Sequence, residues 1–303
     1  GEHNQALSTF SRVAALQPQS PQPFLRMASA HQAAGNNAAA EQSLRKALEI
    51  TPNLLPAQQG LAALAMVAKK PGDALAIARN VQKQRPKETA GYLLEGDIYT
   101  AGKDWDKAVE AFRAGLKQVS NPDLAVRLHG ALLAAGKKPE AARWAAEWLR
   151  SQPKDAVFPF YLGGLAMNGN DLAEGLRLFE RVLALHPNNA IALNNAAWIK
   201  GELGRDGALS DAERANVLAP NQPPLMDTWA MLLSAANQHE KAVEIQKKAL
   251  QLQPQALGLK LNLAKIYAKA RQKDAARVLL DELSAAEARF PAQAEVKKKK
   301  KSL

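Results

Sequence analysis

The sequence predicts an all-α protein built from tandem helix-turn-helix units. One observation is composition, because alanine and leucine dominate an apolar fraction of 47% while aromatic residues make up 5% and strand-favouring residues are sparse. The other is a fixed period at which small residues and prolines recur along the chain. No cysteine is present, which excludes disulfides, zinc–thiolate sites and a cysteine nucleophile, and fits cytoplasm and periplasm equally well.

The period is visible at two positions of each unit. A small residue recurs every 33 or 34 residues, at Ala6, Ala40, Ala74, Ala108, Ala141, Gly175, Ala208, Ala242 and Ala276. A proline recurs at the same interval, with Ser120 in its place once, at Pro18, Pro52, Pro86, Pro153, Pro187, Pro220 and Pro254. Eight successive intervals in phase indicate a repeat architecture.

Each unit contains a first helix, a turn and a second helix. The first helix has apolar residues at helical spacing, as at Leu128 and Leu132. The turn often contains Gly or Asn, as in "AAGNN" and "MNGND". The second helix starts near the periodic small residue and ends before the proline, whose ring and missing N–H stop it.

In chain order, residues 1–18 form a second helix without a first, residues 21–288 form about eight full units, and residues 289–303 form a terminal helix with a lysine-rich tail. We expect one solenoid over residues 1–303, preceded by further units, because a half unit leaves an apolar face unpaired. Phe290 and Val296 are expected to cover the final core. Lys297 to Lys301 are expected to be a solvated tail.

The small residues are explained by close helix crossings between neighbouring units. A side chain that ends at Cβ lets two backbones approach, and a larger residue one turn further along fills the adjacent space. Phe112 and Phe179 each follow a periodic small residue by four positions. A unit therefore cannot bury its own apolar face, and the units have to stack.

These features resemble the tetratricopeptide repeat family, whose unit is a 34-residue helix pair, over essentially the whole chain. The small residue expected in the first helix is replaced by His129 in one unit and is otherwise Ala28, Ala62, Gly96, Gly163, Ala196, Ala230 or Ala264. The resemblance implies a right-handed α-solenoid that binds a protein or peptide partner in a concave groove lined by the first helices.

A more particular resemblance rests on two blocks. "LNNAAW", with Asn194 and Trp198, and "DTWAMLL", with Asp227 and Trp229, resemble the PrsT-type tetratricopeptide repeat lipoproteins of the PEP-CTERM system. This implies a periplasmic or outer-membrane lipoprotein in bacterial exopolysaccharide production and protein sorting, with peripheral membrane association of the full-length protein. The composition itself leaves a cytoplasmic location open.

No motif for catalysis, metal binding or a cofactor is present. The five histidines lie in different units and none forms an i, i+3 or i, i+4 pair. HExxH, GxSxG and GxxxxGK[ST] motifs are absent, so we expect no enzyme activity, no cofactor, no metal and no small-molecule substrate.

The repeat phase predicts which residues line the groove. Phe160, Met167, Leu193 and Met231 are expected to form an apolar centre with polar flanks, although each could instead cover the next helix. Asn194, beside this face, suits the backbone of an extended peptide. The predicted groove residues are Arg127, Phe160, Met167, Asn168, Leu193, Asn194, Lys200, Asp227, Met231 and Lys265.

Two further expectations concern charge and tryptophan. The paired Lys, Asn and Arg with which some tetratricopeptide repeats bind chaperone tails are absent from the corresponding positions, so that function is not expected. Trp105, Trp144 and Trp148, on second helices, are assigned to packing between repeats, and Trp198 and Trp229 to the core.

The net charge of +11 falls to +6 without the five lysines from Lys297 to Lys301. No aromatic residue is interleaved with these lysines, which argues against nucleic acid. The rival function is nevertheless a binder of anionic surfaces, whether membrane, acidic polysaccharide or nucleic acid. Ionic strength separates the two functions, because electrostatic affinity collapses with added salt.

Overall fold

The computed structural model of the chain describes residues 2–285 and 292–302. Within these residues there are eighteen helices and no strand, which confirms the predicted all-α class. Contacts between Cα atoms divide the chain into two compact parts, and each part contains several repeats. From here on, unit 1 means Gly1–Pro153 and unit 2 means Lys154–Leu303, and a single helix-turn-helix element is called a repeat. The single solenoid expected over residues 1–303 stays a prediction, and each unit is described by itself.

Unit 1 contains nine helices within its described residues. They are α1 (Glu2–Leu16), α2 (Gln22–Ala33), α3 (Asn37–Ile50), α4 (Leu55–Val67), α5 (Pro71–Gln84), α6 (Ala90–Ala101), α7 (Trp105–Gln118), α8 (Pro122–Ala134) and α9 (Lys138–Ser151). Each helix packs against the next one along the chain. The even-numbered helices are the first helices of the repeats.

Unit 2 also contains nine helices in its described part, in the same alternation. They are α10 (Val157–Asn168), α11 (Leu172–Leu185), α12 (Ala190–Glu202), α13 (Ala208–Leu218), α14 (Pro223–Ala235), α15 (His239–Leu252), α16 (Leu257–Lys269), α17 (Lys273–Ala285) and α18 (Gln293–Lys301). Besides packing in chain order, the first helix α14 contacts both α12 and α16. The first helices α12, α14 and α16 therefore lie side by side.

The predicted pairing of small and large residues holds at the helix crossings. A Cβ built on Gly96 of α6 would lie 2.1 Å from Cε1 of Phe112 in α7, so the ring occupies the space that the glycine leaves. The same pairing joins Gly163 of α10 to Phe179 of α11, at 3.1 Å. His129 takes the small-residue position in α8 and is buried, and this burial lowers its pKa.

The hairpin turns share one backbone feature. A residue with φ between 58° and 74° follows every first helix at intervals of 33 or 34 residues, at Gly35, Lys69, Lys103, Gly136, Asn170, Gly204, Asn237 and Arg271. This left-handed conformation favours glycine, and asparagine tolerates it better than other residues do. Three turns place a lysine or arginine there at an energetic cost.

Lys103→Gly is expected to stabilise unit 1 by about 1 kcal/mol, because glycine adopts the left-handed conformation without a Cβ clash. The shift in the urea midpoint measured by circular dichroism tests this. Gly136→Lys is the matched control at the equivalent turn and should shift the midpoint in the opposite direction. Equal midpoints for all three proteins would contradict the assignment.

The C-terminal helix α18 covers the last apolar cluster, as predicted for Val296. Val296 is fully buried against Leu261, Ala264, Leu280 and Leu283. Phe290 lies outside the described residues. The residues from Lys297 to Lys301 are exposed and helical, and Nζ of Lys300 lies 2.5 Å from Oδ1 of Asp281. Among the described residues, no helix is long and apolar enough to cross a bilayer.

Candidate functional site

The candidate site is the solvent-facing side of the first helices of unit 2, which we call the first-helix wall. It is formed by α10, α12, α14 and α16, which contain nine of the ten predicted groove residues. The structure divides these residues into three groups. The first group is partly or fully exposed, the second is buried, and the third is bonded to other side chains.

The α10 part of the wall is apolar, and its large side chains Phe160 and Met167 pack partly against a core cluster. Phe160 is half-buried and meets Phe179 edge to face, with ring centroids 5.6 Å apart, which fixes the ring position. Met167 is half-buried and Asn168 is exposed. A Cβ built on Gly164 would meet nothing within 4 Å, so the wall is open at this point. α10 carries no charged residue.

On α12, the prediction for Leu193 is wrong. Leu193 is only 4% exposed and packs with Ala215 and Leu225, so it belongs to the core. Asn194 is also buried, with 9% exposure. Its Oδ1 atom accepts no hydrogen bond, while its Nδ2 lies 3.5 Å from Oδ1 of Asn195. An unsatisfied buried acceptor costs about 1–3 kcal/mol.

Lys200, at the end of α12, is held by an ion pair. Its Nζ lies 2.7 Å from Oδ2 of Asp211 in α13, and both side chains are about four-fifths buried. This bond ties the two helices of one repeat together. Lys200 is therefore a structural contact within the hairpin, although the sequence placed it among the groove residues.

A polar network joins α14 to α16, and the carboxylate of Asp227 lies at its centre. The Asp227 carboxylate accepts hydrogen bonds from Nδ2 of Asn262, at 2.9 and 3.0 Å, and from Nε2 of Gln246, at 2.5 Å. Burial raises the pKa of Asp227, and the bonds from Asn262 and Gln246 and the charge of Lys265 oppose that rise.

Lys265 extends this network to the C-terminal helix. Its Nζ donates to Oδ1 of Asn262 at 3.2 Å and lies 2.6 Å from Oε1 of Glu295 in α18. Met231, on α14, is half-buried against the core cluster of α14–α16. The predicted polar flank of the groove is thus mostly bonded internally, and it holds the first helices in register.

The remaining predicted residue, Arg127, lies on α8 of unit 1. Its Nη1 is 3.1 Å from Oδ1 of Asp97 on the neighbouring first helix α6. Burial raises the pKa of Asp97, and the Arg127 charge opposes this rise. Arg127 therefore also has a partner within its own unit.

The structure reveals a residue that the sequence interpretation misplaced. Trp198 of α12 is 38% exposed, so its assignment to the core is wrong. Trp229 packs against a core cluster, as predicted. Trp144 and Trp148 pack together with ring centroids 5.5 Å apart. Asn262 and Gln246 were missed, because a bond across three helices leaves no signal in the spacing of one repeat.

The described residues contain no cluster of three or more His, Cys, Asp or Glu that could hold a metal ion. Their polar groups instead form pairs and networks that join neighbouring helices. The part of the wall that is apolar and partly exposed lies on α10, at Phe160, Gly164 and Met167.

Three tetratricopeptide repeat models match the chain, over residues 22–54, 60–125 and 233–299. These matches lie in both units and together cover more than half of the chain. The chain belongs to the tetratricopeptide repeat family. Tetratricopeptide repeat proteins generally mediate protein–protein interactions and act as scaffolds.

Two curated proteins contain similar repeats. The chain is 26% identical over 233 residues to cellulose synthase operon protein C of Pseudomonas fluorescens (strain SBW25), which covers 73% of this chain and 18% of that protein. It is 25% identical over 103 residues to small glutamine-rich tetratricopeptide repeat-containing protein 2 of Mycosarcoma maydis, covering 34% and 29% respectively. The chain thus spans less than a third of either relative.

Among solved structures, the fold is similar to a chain of the APC/C hetero-tetramer Cut9–Hcn1. The TM-score is 0.51 at 13% identity, over 87% of this chain and 52% of that chain. At this identity the likeness concerns the fold alone, and it confirms the predicted class of tandem tetratricopeptide repeats. The PrsT-type subfamily stays a prediction, because the matching models describe the repeat in general.

Proposed function

We propose that this tetratricopeptide repeat protein is a non-catalytic scaffold that binds an extended protein segment along the first-helix wall of unit 2. The proposal depends on one observation, which is that the exposed side of α10 is apolar and open. This side is uncharged, open at Gly164 and flanked by half-buried Phe160 and Met167. Lys200, Asp227 and Lys265 are bonded to other side chains of the chain, so we assign binding to the apolar part of the wall.

Gly164→Arg is expected to abolish binding to the wall and to leave the fold intact. The new side chain projects from a position where a Cβ meets nothing within 4 Å, and it replaces a glycine that weakens the helix. The measurement is the affinity of a partner co-purified from the source organism, together with the thermal midpoint of the variant.

The double variant Met167→Asp, Met231→Asp tests the same surface by adding charge to it. Its matched control is Val217→Asp, Val278→Asp, because these valines are 75% and 59% exposed on second helices. If only the control variant loses the partner, or if both double variants retain it, the partner does not bind at the first-helix wall. Binding that collapses at high ionic strength supports the anionic-surface alternative instead.

We also propose that the scaffold serves exopolysaccharide production and protein sorting at the bacterial envelope. Two observations support this role: the similarity to a protein named for the cellulose synthase operon, and the PrsT-type blocks around Asn194 and Asp227. Deletion of the gene is expected to reduce secreted polysaccharide. Unchanged secretion in the deletion strain contradicts the role without affecting the binding proposal.

A further inference from the structure

The five consecutive lysines of α18 belong to a helix that is fixed to the rest of unit 2. Val296, directly before the first lysine, is fully buried in the apolar cluster formed with α16 and α17. Nε2 of Gln293 donates a hydrogen bond to the backbone oxygen of Leu283 at 2.7 Å. The lysines therefore extend from an anchored helical turn, and their positions on the helix decide which way their charges face.

Two ion pairs fix the rotation of α18 about its own axis. Oε1 of Glu295 lies 2.6 Å from Nζ of Lys265 on α16. Nζ of Lys300 pairs with Oδ1 of Asp281 on α17. Both pairs lie on the side of α18 that faces the preceding helices, so the opposite side of α18 faces outward.

Three lysines lie on this outer side of α18. Successive residues of a helix are rotated by about 100°, which places Lys297, Lys298 and Lys301 between about 100° and 200° from Val296. All three are exposed, and none of them has an ion-pair partner among the residues that the structure describes. The other exposed residue on this side is Ala294. The outer side is therefore positively charged and has no large apolar side chain.

The arrangement of these charges favours a negatively charged partner. Like charges three or four residues apart on a helix repel each other, as Lys301 does with both Lys297 and Lys298. The contacts that anchor α18 hold the three lysines in this arrangement in spite of the repulsion. A dense negative charge on the outer side would relieve the repulsion and attract all three ammonium groups at once.

The residue types on the outer side indicate which kind of anionic partner fits. α18 has no aromatic residue for stacking on nucleic-acid bases and no arginine for bidentate bonds to single phosphates. Lysine is a compact point charge, and lysine clusters on a helix suit the diffuse negative charge of a bilayer that contains anionic lipids. Because no large apolar residue faces outward, α18 would lie on the headgroups without entering the hydrocarbon.

We propose that the outer side of α18 docks on a lipid bilayer with anionic headgroups. The ammonium groups of Lys297, Lys298 and Lys301 contact the headgroup phosphates, while the buried side of α18 stays packed on α16 and α17. The inference goes beyond the proposed function and is independent of it, because none of the three lysines lies on the first-helix wall.

The test is co-sedimentation of the full chain with vesicles made of equal parts of phosphatidylcholine and phosphatidylglycerol. The wild type is expected to bind these vesicles at low salt, to be released at high salt, and not to bind vesicles of phosphatidylcholine alone. A lysine near an anionic surface contributes about fivefold to affinity, so the triple variant Lys297→Gln, Lys298→Gln, Lys301→Gln should bind about a hundredfold more weakly.

The matched control replaces three exposed lysines outside α18, with the same change in net charge. It is the triple variant Lys83→Gln, Lys117→Gln, Lys154→Gln, and it should keep the wild-type affinity for the vesicles. The contacts that anchor α18 are unchanged in both triple variants, so both should keep the wild-type thermal midpoint.

Three outcomes would overturn the inference. One is a wild type that does not bind the anionic vesicles at low salt. Another is an equal loss of affinity in the two triple variants, which would attribute binding to net charge alone. The third is binding to duplex DNA or to alginate, an acidic polysaccharide, without binding to the vesicles, which would assign the lysines to another class of polyanion.

Discussion

Phe179→Ala is expected to lower the free energy of unfolding of unit 2 by about 3–5 kcal/mol, the usual cost of removing a buried aromatic side chain. Phe179 is fully buried, and its ring fills the space left by Gly163 of α10. The same ring contacts the ring of Phe160 edge to face, so its removal should also make the position of Phe160 in the wall less fixed. Urea unfolding followed by circular dichroism gives the loss.

The control for this prediction is Phe160→Ala. Phe160 is only half-buried, so its truncation should cost clearly less than that of Phe179 while weakening partner binding. Equal losses of stability for the two variants would show that α10 does not depend on the Phe179 ring, contrary to the crossing described for α10 and α11.

Gly96→Ala is expected to destabilise unit 1 by about 1–3 kcal/mol or more, because one methyl group is forced into a packed crossing. The added Cβ would lie 2.1 Å from Cε1 of Phe112, whose ring is 1% exposed and has no room to move outward. Either the ring leaves its rotamer or α6 separates from α7. The thermal midpoint should fall accordingly.

Gly164→Ala is the matched control, since it makes the same chemical change in the first helix of another repeat. No atom lies within 4 Å of the new methyl group, so the gain in helix propensity of about 0.5–1 kcal/mol should dominate. Partial rescue of Gly96→Ala by a second change, Phe112→Leu, would attribute the loss to the ring. A neutral Gly96→Ala would contradict the crossing geometry.

The periodic positions of the sequence predicted the fold because each has one physical cause. Ala40, Ala74, Ala108, Ala242 and Ala276 are fully buried, as close helix crossings require. The turn conformation was only partly predictable, since glycine and asparagine indicate a left-handed residue but Lys69, Lys103 and Arg271 do not. In those turns the two packed helices impose the conformation on the residue between them.

The candidate site was less predictable than the fold. The position of a residue in the repeat predicts the side of the helix on which it lies, but it does not predict whether neighbouring helices bury it. Leu193 has the same phase as Phe160, yet it is buried with Ala215 and Leu225, while Phe160 stays half-exposed. Trp198 was assigned to the core because a large aromatic residue in an apolar pattern usually packs inside. Its exposure depends on the neighbouring helices, which one sequence does not specify.

The open glycine of α10 also makes the protein convenient to label. The chain has no cysteine, so Gly164→Cys would introduce its sole thiol at a place where the side chain meets no neighbour. A dye attached there would sit between Phe160 and Met167. A partner that binds the wall would change the surroundings of the dye, so the fluorescence emission would report binding as it occurs.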